Sequence, residues 1–488
     1  MTKRVILLLL ILLILFGSNA IALLSIEDLT LVEVCRIVAI TQVIALYCYY
    51  IYKKKILKRE GWISIMNLFL IGSLIVNFSM PISHLLGYQA EGVYFDFLWA
   101  SPESAKRGAI YSSLAMISLY LGGILTVVKP LVRAASRERK KKYFLKSDRW
   151  KLLLTSTYIF YILFFVTSGS YKRGLYFAGD QLAVSNYFYY LFKVSLTAVI
   201  ILIILAKHTY SFRHYSFIDY VKSFGLGLNI ILGFHLFWSL IVGDRGPIMI
   251  FTLLYLSVYL LRYNKLSLIR FFTLTFTVAF LFVLVASTRT RDGGLSIEDR
   301  LNKGENISVH ATRIGMDNPL VASYVELGIS VRCLNHSIDY VESSRGSLYF
   351  GYFQFKQILA SLPFIVGLYN NIFNVPTRLD GSSNFISYLI QGNNVTYGDG
   401  TSAIADVYLD FGLLGIVFGY LLIGRVYSQL DKVLVLSDGK VFKPFVWVSA
   451  LVVLSNSIYI SRSTFLILLQ MIIPCYILVR SCISLNNE

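Results

Sequence analysis

The feature that most constrains this chain is a series of about twelve apolar stretches, each close to the roughly 20 residues that a helix needs to cross a bilayer. Of the 488 residues, 56% are hydrophobic and 15% are charged, whereas a water-soluble domain has about 25% charged residues. Because only helices and closed barrels satisfy their backbone in lipid, the sequence predicts an all-α polytopic membrane protein. The expected spans are Val5–Leu24, Val34–Tyr52, Trp62–Met80, Ala109–Val128, Leu152–Ser168, Tyr187–Ala206, Ser223–Val242, Pro247–Leu261, Phe271–Ser287, Ser402–Ile423, Phe445–Ile460 and Ser463–Val479.

The net charge of +18 is interpreted as a consequence of membrane topology rather than as a nucleic-acid-binding signal. With the N-terminus in the cytoplasm, Lys and Arg concentrate in the inner connections, above all between Lys129 and Lys151. Because basic residues mark cytoplasmic connections, we predict that both termini are cytoplasmic and that nucleic acid is not a partner. The alternative for the basic excess is docking of anionic lipid or an acidic partner. We expect Val5–Leu24 to remain as an uncleaved span, with a cleaved signal peptide as the alternative.

One connection, residues 288–401, is far longer than the others and divides the chain into three parts. These parts are an N-terminal transmembrane region (1–287), a large extracytoplasmic (outer) loop (288–401) and a C-terminal transmembrane region (402–488). The basic residues of the loop are Arg289, Arg291, Arg300, Arg313, Arg332, Arg345 and Arg378, with only two lysines, Lys303 and Lys356. An arginine-bearing loop on a polytopic protein indicates a membrane-embedded enzyme that acts on a lipid-borne anion, because planar arginine suits phosphate recognition.

The long loop is expected to contain structure of its own. Ile314–Tyr340 is rich in helix formers and has apolar residues three to four positions apart, which is typical of a helix. Tyr349–Tyr369, interrupted by Pro363, is interpreted as an interfacial or re-entrant helix pair. Asn370–Thr401 is rich in turns and is expected to line a site or act as a lid, with a plain linker as the alternative.

Arg245 is a candidate for binding an anion such as a diphosphate. It lies in the segment Gly243–Pro247 between the seventh and eighth spans. Because proline suits the first helical position, we expect the eighth span to begin at Pro247 on the outer face. A helix N-terminus carries free N–H groups and partial positive charge, which together with an arginine suit a phosphate. The alternative is a tight turn whose arginine reaches lipid headgroups.

Four further arginines are candidates for the same anion. Arg289 and Arg291 directly follow the ninth span, where two guanidinium groups can hold a diphosphate bidentately. Interfacial anchoring is the alternative for this pair. Arg313 lies in the long loop, and Arg462 precedes the last span on the outer face.

Three carboxylates are candidates for the catalytic base. Asp406 and Asp410 are four residues apart, so they share one face of a helix. Carboxylates at the depth expected for them usually face a polar cavity, where one could accept a proton from a sugar hydroxyl. Alternatively, the pair precedes a shorter span that starts at Phe411. Asp399, in the glycine-rich turn before them, is an equal candidate.

The sequence lacks the motifs of nucleotide-driven and metal-dependent chemistry. It has no P-loop, no HExxH, no GxSxG and no Asp-x-Asp pair. We therefore expect no metal ion and no cofactor, and a donor that is already attached to a lipid phosphate.

Four local patterns, together with the late outer loop, identify a family resemblance. They are Gly243–Gly246 before a span, the glycine and aromatic stretch Gly346–Pro363, the segment Asp410–Gly415 after the loop, and Arg462–Ser463 near the last span. In these features the chain resembles the Wzy-type oligosaccharide repeat-unit polymerases, the O-antigen polymerases of bacterial envelopes.

The resemblance implies a GT-C-like integral membrane glycosyltransferase of the bacterial inner membrane. Such an enzyme moves a growing glycan from undecaprenyl diphosphate onto the next lipid-linked repeat unit, by inverting, metal-independent transfer at the outer face. The implied partners are the lipid-linked glycan, the bilayer, and the flippase and chain-length regulator of the same pathway. The alternatives are an O-antigen ligase or another lipid-linked glycosyltransferase and, ranked last, a lipid-oligosaccharide flippase.

Overall fold

Helices form the body of the molecule, as the series of long apolar stretches requires. The structure is a computed structural model that describes residues 3–56, 61–126, 141–174, 183–208, 215–271, 273–275, 277, 328–343, 346–362, 365–395, 398–435 and 443–487. Its helices, numbered in chain order, are α1 (Lys3–Leu24), α2 (Leu31–Ile51), α3 (Ile65–Leu85), α4 (Gly92–Trp99), α5 (Pro102–Leu125), α6 (Ser147–Thr167), α7 (Gly169–Lys172), α8 (Ala183–Ile203), α9 (Phe217–Ser223), α10 (Leu226–Val242), α11 (Arg245–Val258), α12 (Val331–Glu342), α13 (Tyr352–Ala360), α14 (Ile365–Ile372), α15 (Ser382–Gln391), α16 (Ala403–Val435), α17 (Pro444–Asn456) and α18 (Leu469–Cys482).

The described residues contain 8 helices that are long and apolar enough to cross a membrane, or 9 if the bent pair of α9 and α10 is one span. Two shorter apolar helices, Pro444–Asn456 and Leu466–Cys482, correspond to the eleventh and twelfth expected spans. The ninth expected span, Phe271–Ser287, lies largely outside the described residues. An all-α polytopic membrane protein is therefore confirmed, and the number of twelve spans stays a prediction.

Two of the expected spans differ from a straight apolar helix. The seventh, predicted over Ser223–Val242, corresponds to α10, which meets the preceding α9 at a bend of 102°. Gly225 lies in this bend with a φ of +85°, a conformation that favours glycine. The tenth, predicted over Ser402–Ile423, becomes α16, which continues to Val435 and is kinked at Gly412 with a φ of +61°. Apolar length predicts neither bend, because a glycine kink leaves the hydropathy of a span unchanged.

The most extensive helix contact joins α5 to α16. A Cβ atom on Gly122 of α5 would lie 2.0 Å from the carbonyl oxygen of Leu421, and one on Gly424 of α16 would lie 2.1 Å from that of Leu119. Each helix thus supplies a glycine where the backbones touch, an arrangement common between membrane helices. The span that contains α5 is also 94% buried, against 22% for the span of α6, so α5 is the central helix.

A small sheet is the one departure from the all-α prediction among the described residues. Strand β1 (Lys141–Leu145) precedes α6, and strand β2 (Ile483–Asn487) follows α18; they pair antiparallel, with Tyr143 opposite Leu485. Tyr143 is 1% exposed, so the strand pair closes over part of the core. The pairing holds the segment before α6 and the segment after α18 at the same end of the helices.

The helices α12 to α15 form the described part of the long loop. The expected helix Ile314–Tyr340 is described only near its end, where α12 continues to Glu342. Helices α13 and α14 occupy the stretch interpreted as a helix pair. The prediction for Asn370–Thr401 needs correction, because α15 interrupts these turns. Its residues Phe385 and Ile386 are 3% and 0% exposed, so tertiary packing stabilises this helix. The surrounding glycines make the same helix hard to predict from the sequence.

Replacing Gly122 with alanine is expected to force α5 and α16 apart and to cost about 1–3 kcal/mol of stability, the usual penalty of overpacking. Gly233→Ala in α10 is the matched control, because nothing lies within 4 Å of a Cβ there. The control should be neutral or stabilising by up to about 1 kcal/mol through helix propensity. Thermal unfolding of the purified proteins in detergent measures both. Equal unfolding temperatures for the two variants would show that the backbone contact is unimportant.

Candidate active site

Carboxylates and arginines gather where the loop helices α12–α15 pack on the ends of the long helices, a region named here the loop end. Helix α12 packs against α3, α4, α5, α15 and α16. Helix α13 packs against α16 and against the short turn Leu466–Leu468 that precedes α18. Side chains from distant parts of the sequence therefore meet at the start of α16.

Asp399, one of the predicted carboxylates, forms a buried ion pair with Arg332 of α12. Arg332 NH2 contacts Asp399 Oδ1, and the two side chains are 10% and 0% exposed. Gln391 Nε2 donates to Asp399 Oδ2, while Asp399 N donates to Ser387 Oγ at 2.9 Å. The Arg332 guanidinium also lies 4.4 Å from the centroid of the Phe97 ring. Such partners are needed because an unpaired buried charge is costly.

Arg462 lies on the short turn Tyr459–Arg462, which packs against α3 and α16, and both of these helices also contact α12. Burial raises the pKa of the Cys333 thiol to about 11, and the cations of Arg332 and Arg462 oppose that shift. The Cys333 sulfur lies 3.9 Å from the carbonyl oxygen of Asp399. Arg462 itself ends a short helical turn between α17 and α18. The turn that carries Arg462 therefore shares two neighbouring helices with α12, whose Arg332 pairs with Asp399.

Asp406 is fully buried in the first turn of α16 and accepts hydrogen bonds from three side chains. Gln357 Nε2 lies 2.9 Å from both carboxylate oxygens, Gln354 Nε2 lies 2.5 Å from Oδ2, and Ser382 Oγ lies 2.6 Å from Oδ1. The two glutamines belong to α13 and the serine begins α15. The Asp406 carboxylate therefore joins α13 and α15 to α16.

Asp410 lies one turn further along α16 and caps α13. Its oxygens accept hydrogen bonds from Phe353 N at 3.1 Å and from Gln354 N at 2.8 Å. These N–H groups belong to the first turn of α13, where a helix leaves its donors unpaired. Asp406 and Asp410 both face α13, so their spacing correctly predicts a shared helix face.

The loop end contains a further carboxylate, Glu342, that the sequence does not indicate as a candidate. Glu342, the last residue of α12, pairs with Arg107 of α5, with 3.2 Å from Nε to Oε2 and 3.3 Å from NH1 to Oε1. The hydroxyls of Tyr111 and Tyr408 each donate to Oε1 at 3.5 Å. The sequence signal is limited to Arg107 and Tyr111, which are spaced to share one face of α5. No local pattern links them to a glutamate 235 residues beyond Arg107.

The turn before α11 places Arg245 at a helix N-terminus, but the predicted start at Pro247 is wrong. Helix α11 begins at Arg245, because Asp244 caps it and accepts a hydrogen bond from Gly246 N at 3.2 Å. The main neighbours of α11 are α8, α10 and α17. Arg245 therefore belongs to a different group of helices from α12–α15.

The predicted arginines are thus only partly placed by the structure. Arg462 lies on a turn that packs against α3 and α16, whereas Arg245 lies at the start of α11. Arg289, Arg291 and Arg313 lie outside the described residues. Convergence of all five arginines on one anion stays a prediction.

Long apolar helices and a late loop rich in charged contacts agree with a comparison against protein families. The family model described as O-antigen polysaccharide polymerase Wzy matches residues 4–486, nearly the whole chain. The chain belongs to this family. Comparisons with curated proteins and with solved structures gave no match. Membership in the Wzy family makes the chain a multi-pass membrane protein of polysaccharide biosynthesis.

Breaking the pair of Arg332 and Asp399 is expected to cost about 3–5 kcal/mol of stability, because either single variant leaves a buried charge alone. Arg332→Met and Asp399→Asn are the single changes, and the double variant should lose less than their sum. Arg378→Met is the matched control on an exposed arginine of the same loop, with an expected effect within about 0.5 kcal/mol. Thermal unfolding in detergent measures all four. Fully additive losses would contradict the ion pair.

Proposed function

We propose that this chain polymerises undecaprenyl-diphosphate-linked oligosaccharide repeat units into an O-antigen or capsule-type polysaccharide. The reaction is an inverting, metal-independent glycosyl transfer at the outer face of the bacterial inner membrane. The family match over residues 4–486 is the observation that carries this proposal. The reaction needs cations for the leaving diphosphate and a base for the acceptor hydroxyl, and the flippase and chain-length regulator of the pathway are its proposed partners.

The proposed topology has both termini in the cytoplasm and the loop end in the periplasm. It rests on the excess of Lys and Arg in the inner connections. It also requires residues 129–151 and the chain end to lie on the same side of the membrane. The pairing of β1 with β2, which joins residues from these two segments, supports that requirement.

The departing undecaprenyl diphosphate needs cations, for which we propose Arg245, Arg289, Arg291, Arg313 and Arg462. Guanidinium groups bind phosphate oxygens bidentately and stay charged at every physiological pH. The packing of the turn Tyr459–Arg462 against α3 and α16 supports the membership of Arg462 in this set. The position of Arg245 in the first turn of α11 supports a phosphate contact through its guanidinium group, because Asp244 already accepts the Gly246 N–H and Pro247 has none.

The acceptor hydroxyl needs a base, and Asp399, Asp406 and Asp410 are the proposed candidates. Their contacts favour a different task. The three carboxylates are 6%, 0% and 0% exposed as residues, and each is engaged within the protein. Asp406 binds three side chains, Asp410 caps α13, and Asp399 pairs with Arg332. In these positions they hold the loop helices in place, and any proton transfer through them requires the contacts to open.

Deletion of the gene in its host tests the proposed function. We expect the ladder of graded glycan lengths to disappear from a gel of the surface glycan, leaving a single repeat unit on the acceptor. The wild-type gene on a plasmid should restore the ladder. Two other outcomes would reject the polymerase. Lipid-linked polymer with no glycan on the acceptor indicates a ligase, and single lipid-linked units held on the cytoplasmic face indicate a flippase.

Single substitutions of the arginines test the proposed diphosphate contacts. Loss of one charge-assisted contact is worth about 1.5–3 kcal/mol, so Arg462→Ala or Arg245→Ala should lower the polymerisation rate roughly 10-fold to 100-fold. Arg462→Lys and Arg245→Lys keep the charge but lose the planar fork, and should recover only part of the rate. Rates are compared at equal protein levels. Full recovery by lysine would assign these arginines to membrane topology, and normal alanine variants would remove them from the site.

A further inference from the structure

Glu342 is both reachable from outside the protein and held in place, whereas Asp399, Asp406 and Asp410 are held in place but buried. Its side chain is 33% exposed, and that of its partner Arg107 is 29% exposed, so molecules outside the protein can reach this pair. It is also held in place, because α5 and α16 both direct polar groups to its carboxylate. A reachable, oriented carboxylate is what a general base requires.

Two of the helices that pack against α12 supply the polar groups around Glu342. Helix α5 supplies Arg107 and Tyr111, and α16 supplies Tyr408. The rings of Tyr111 and Tyr408 are in contact, with centroids 5.5 Å apart, so they form one wall beside the carboxylate. Arg107 approaches both oxygens, which fixes the orientation of the carboxylate plane.

The electrostatic balance at Glu342 also suits proton transfer. Burial raises its pKa, while the Arg107 cation and the hydroxyls of Tyr408 and Tyr111 lower it; the net shift is upward. A carboxylate with a raised pKa is a stronger base when ionised and holds a transferred proton more readily.

We propose that Glu342 is the general base that receives the proton of the acceptor sugar hydroxyl, and that Arg107, Tyr111 and Tyr408 position it. This inference rests on the proposed polymerase function. As the acceptor oxygen forms its bond to the anomeric carbon of the donor sugar, its proton passes to a Glu342 oxygen. The bond from that carbon to undecaprenyl diphosphate breaks, and its electron pair leaves with the diphosphate. Glu342 then releases the proton to water.

The competing interpretation is an ion pair that only joins α12 to α5. The chain offers a matched control for this role. Asp339 lies one turn before Glu342 on α12, is exposed, and accepts a hydrogen bond from Ser104 Oγ of α5 at 3.1 Å. Asp339→Asn therefore removes a carboxylate that also joins the two helices, without touching the proposed base.

The test uses the full chain in liposomes, with lipid-linked repeat units extracted from the gene-deletion host as both donor and acceptor. Glu342→Gln should lower the rate of polymer formation about 10²–10⁴-fold, the usual contribution of a general base. Glu342→Asp should restore part of the rate, because it keeps the carboxylate. Asp339→Asn should stay within about threefold of the wild type, as expected for a surface change. A Glu342→Gln protein with normal unfolding temperature and a rate near the wild type would overturn the inference.

The dependence of the polymerisation rate on pH distinguishes a general base from a purely structural ion pair, because changing a structural pair would not move the pH profile. Glu342 acts as a base only when ionised, so the rate should rise with pH through its pKa. Arg107→Gln removes the cation that lowers this pKa, so the acid limb should move to higher pH while activity persists above it. Tyr111→Phe should move the limb in the same direction by a smaller amount. An acid limb that stays unchanged in both variants would contradict the assignment.

Failure of this inference can be separated from failure of the proposed function. If the wild type makes no polymer from the extracted lipid-linked units, the polymerase proposal fails and the role of Glu342 fails with it. If the wild type is active and Glu342→Gln is equally active, only the base assignment fails. If Glu342→Gln does not fold, the Arg107→Gln and Tyr111→Phe profiles decide the question.

Discussion

The arrangement of the loop end depends on the backbone contact between α5 and α16. Because Gly122 and Gly424 carry no Cβ atoms, the two helices cross closely enough for backbone to meet backbone. The same two helices present Tyr111 and Tyr408 to each other nearer the loop end. A third glycine, Gly108 of α5, admits α12, since a Cβ there would overlap the Asn335 side chain. Small residues along α5 therefore set the distances between the helices that carry the polar groups.

The loop helices are attached to this frame by carboxylates rather than by apolar packing alone. Asp410 caps α13, and Asp406 accepts hydrogen bonds from Gln354, Gln357 and Ser382. A hydrogen bond contributes about 0.5–1.5 kcal/mol when both partners are neutral and about 1.5–3 kcal/mol when one is charged. The direction of these hydrogen bonds also matters. A directional bond to a carboxylate fixes the rotation of a short helix about its axis, whereas a non-directional apolar contact does not. The loop can thus present a defined surface even though its helices are short.

The sequence predicts what depends on local spacing and misses what depends on distant partners. Apolar length predicts the spans, and the spacing of Asp406 and Asp410 predicts their shared face. The sequence does not predict the bend at Gly225, the kink at Gly412 or helix α15, because backbone geometry and tertiary packing determine them. The sequence also does not predict the ion pairs Arg332–Asp399 and Arg107–Glu342, because each pair joins segments far apart in the chain. Residue type is enough to select the candidate arginines from the sequence, but the sequence does not show which of them lie close together.

The carboxylates of the loop end illustrate a conflict between holding a structure and performing a reaction. A buried carboxylate is stable only when its oxygens are satisfied by internal donors, which leaves few lone pairs for a substrate. Asp406 meets that condition fully and so suits attachment of the loop. A base must instead keep an oxygen within reach of an incoming hydroxyl, at the expense of a weaker set of internal contacts. Glu342, with contacts of 3.2–3.5 Å and a third of its side chain exposed, meets that second condition. The two tasks therefore fall to different carboxylates on the same helical frame.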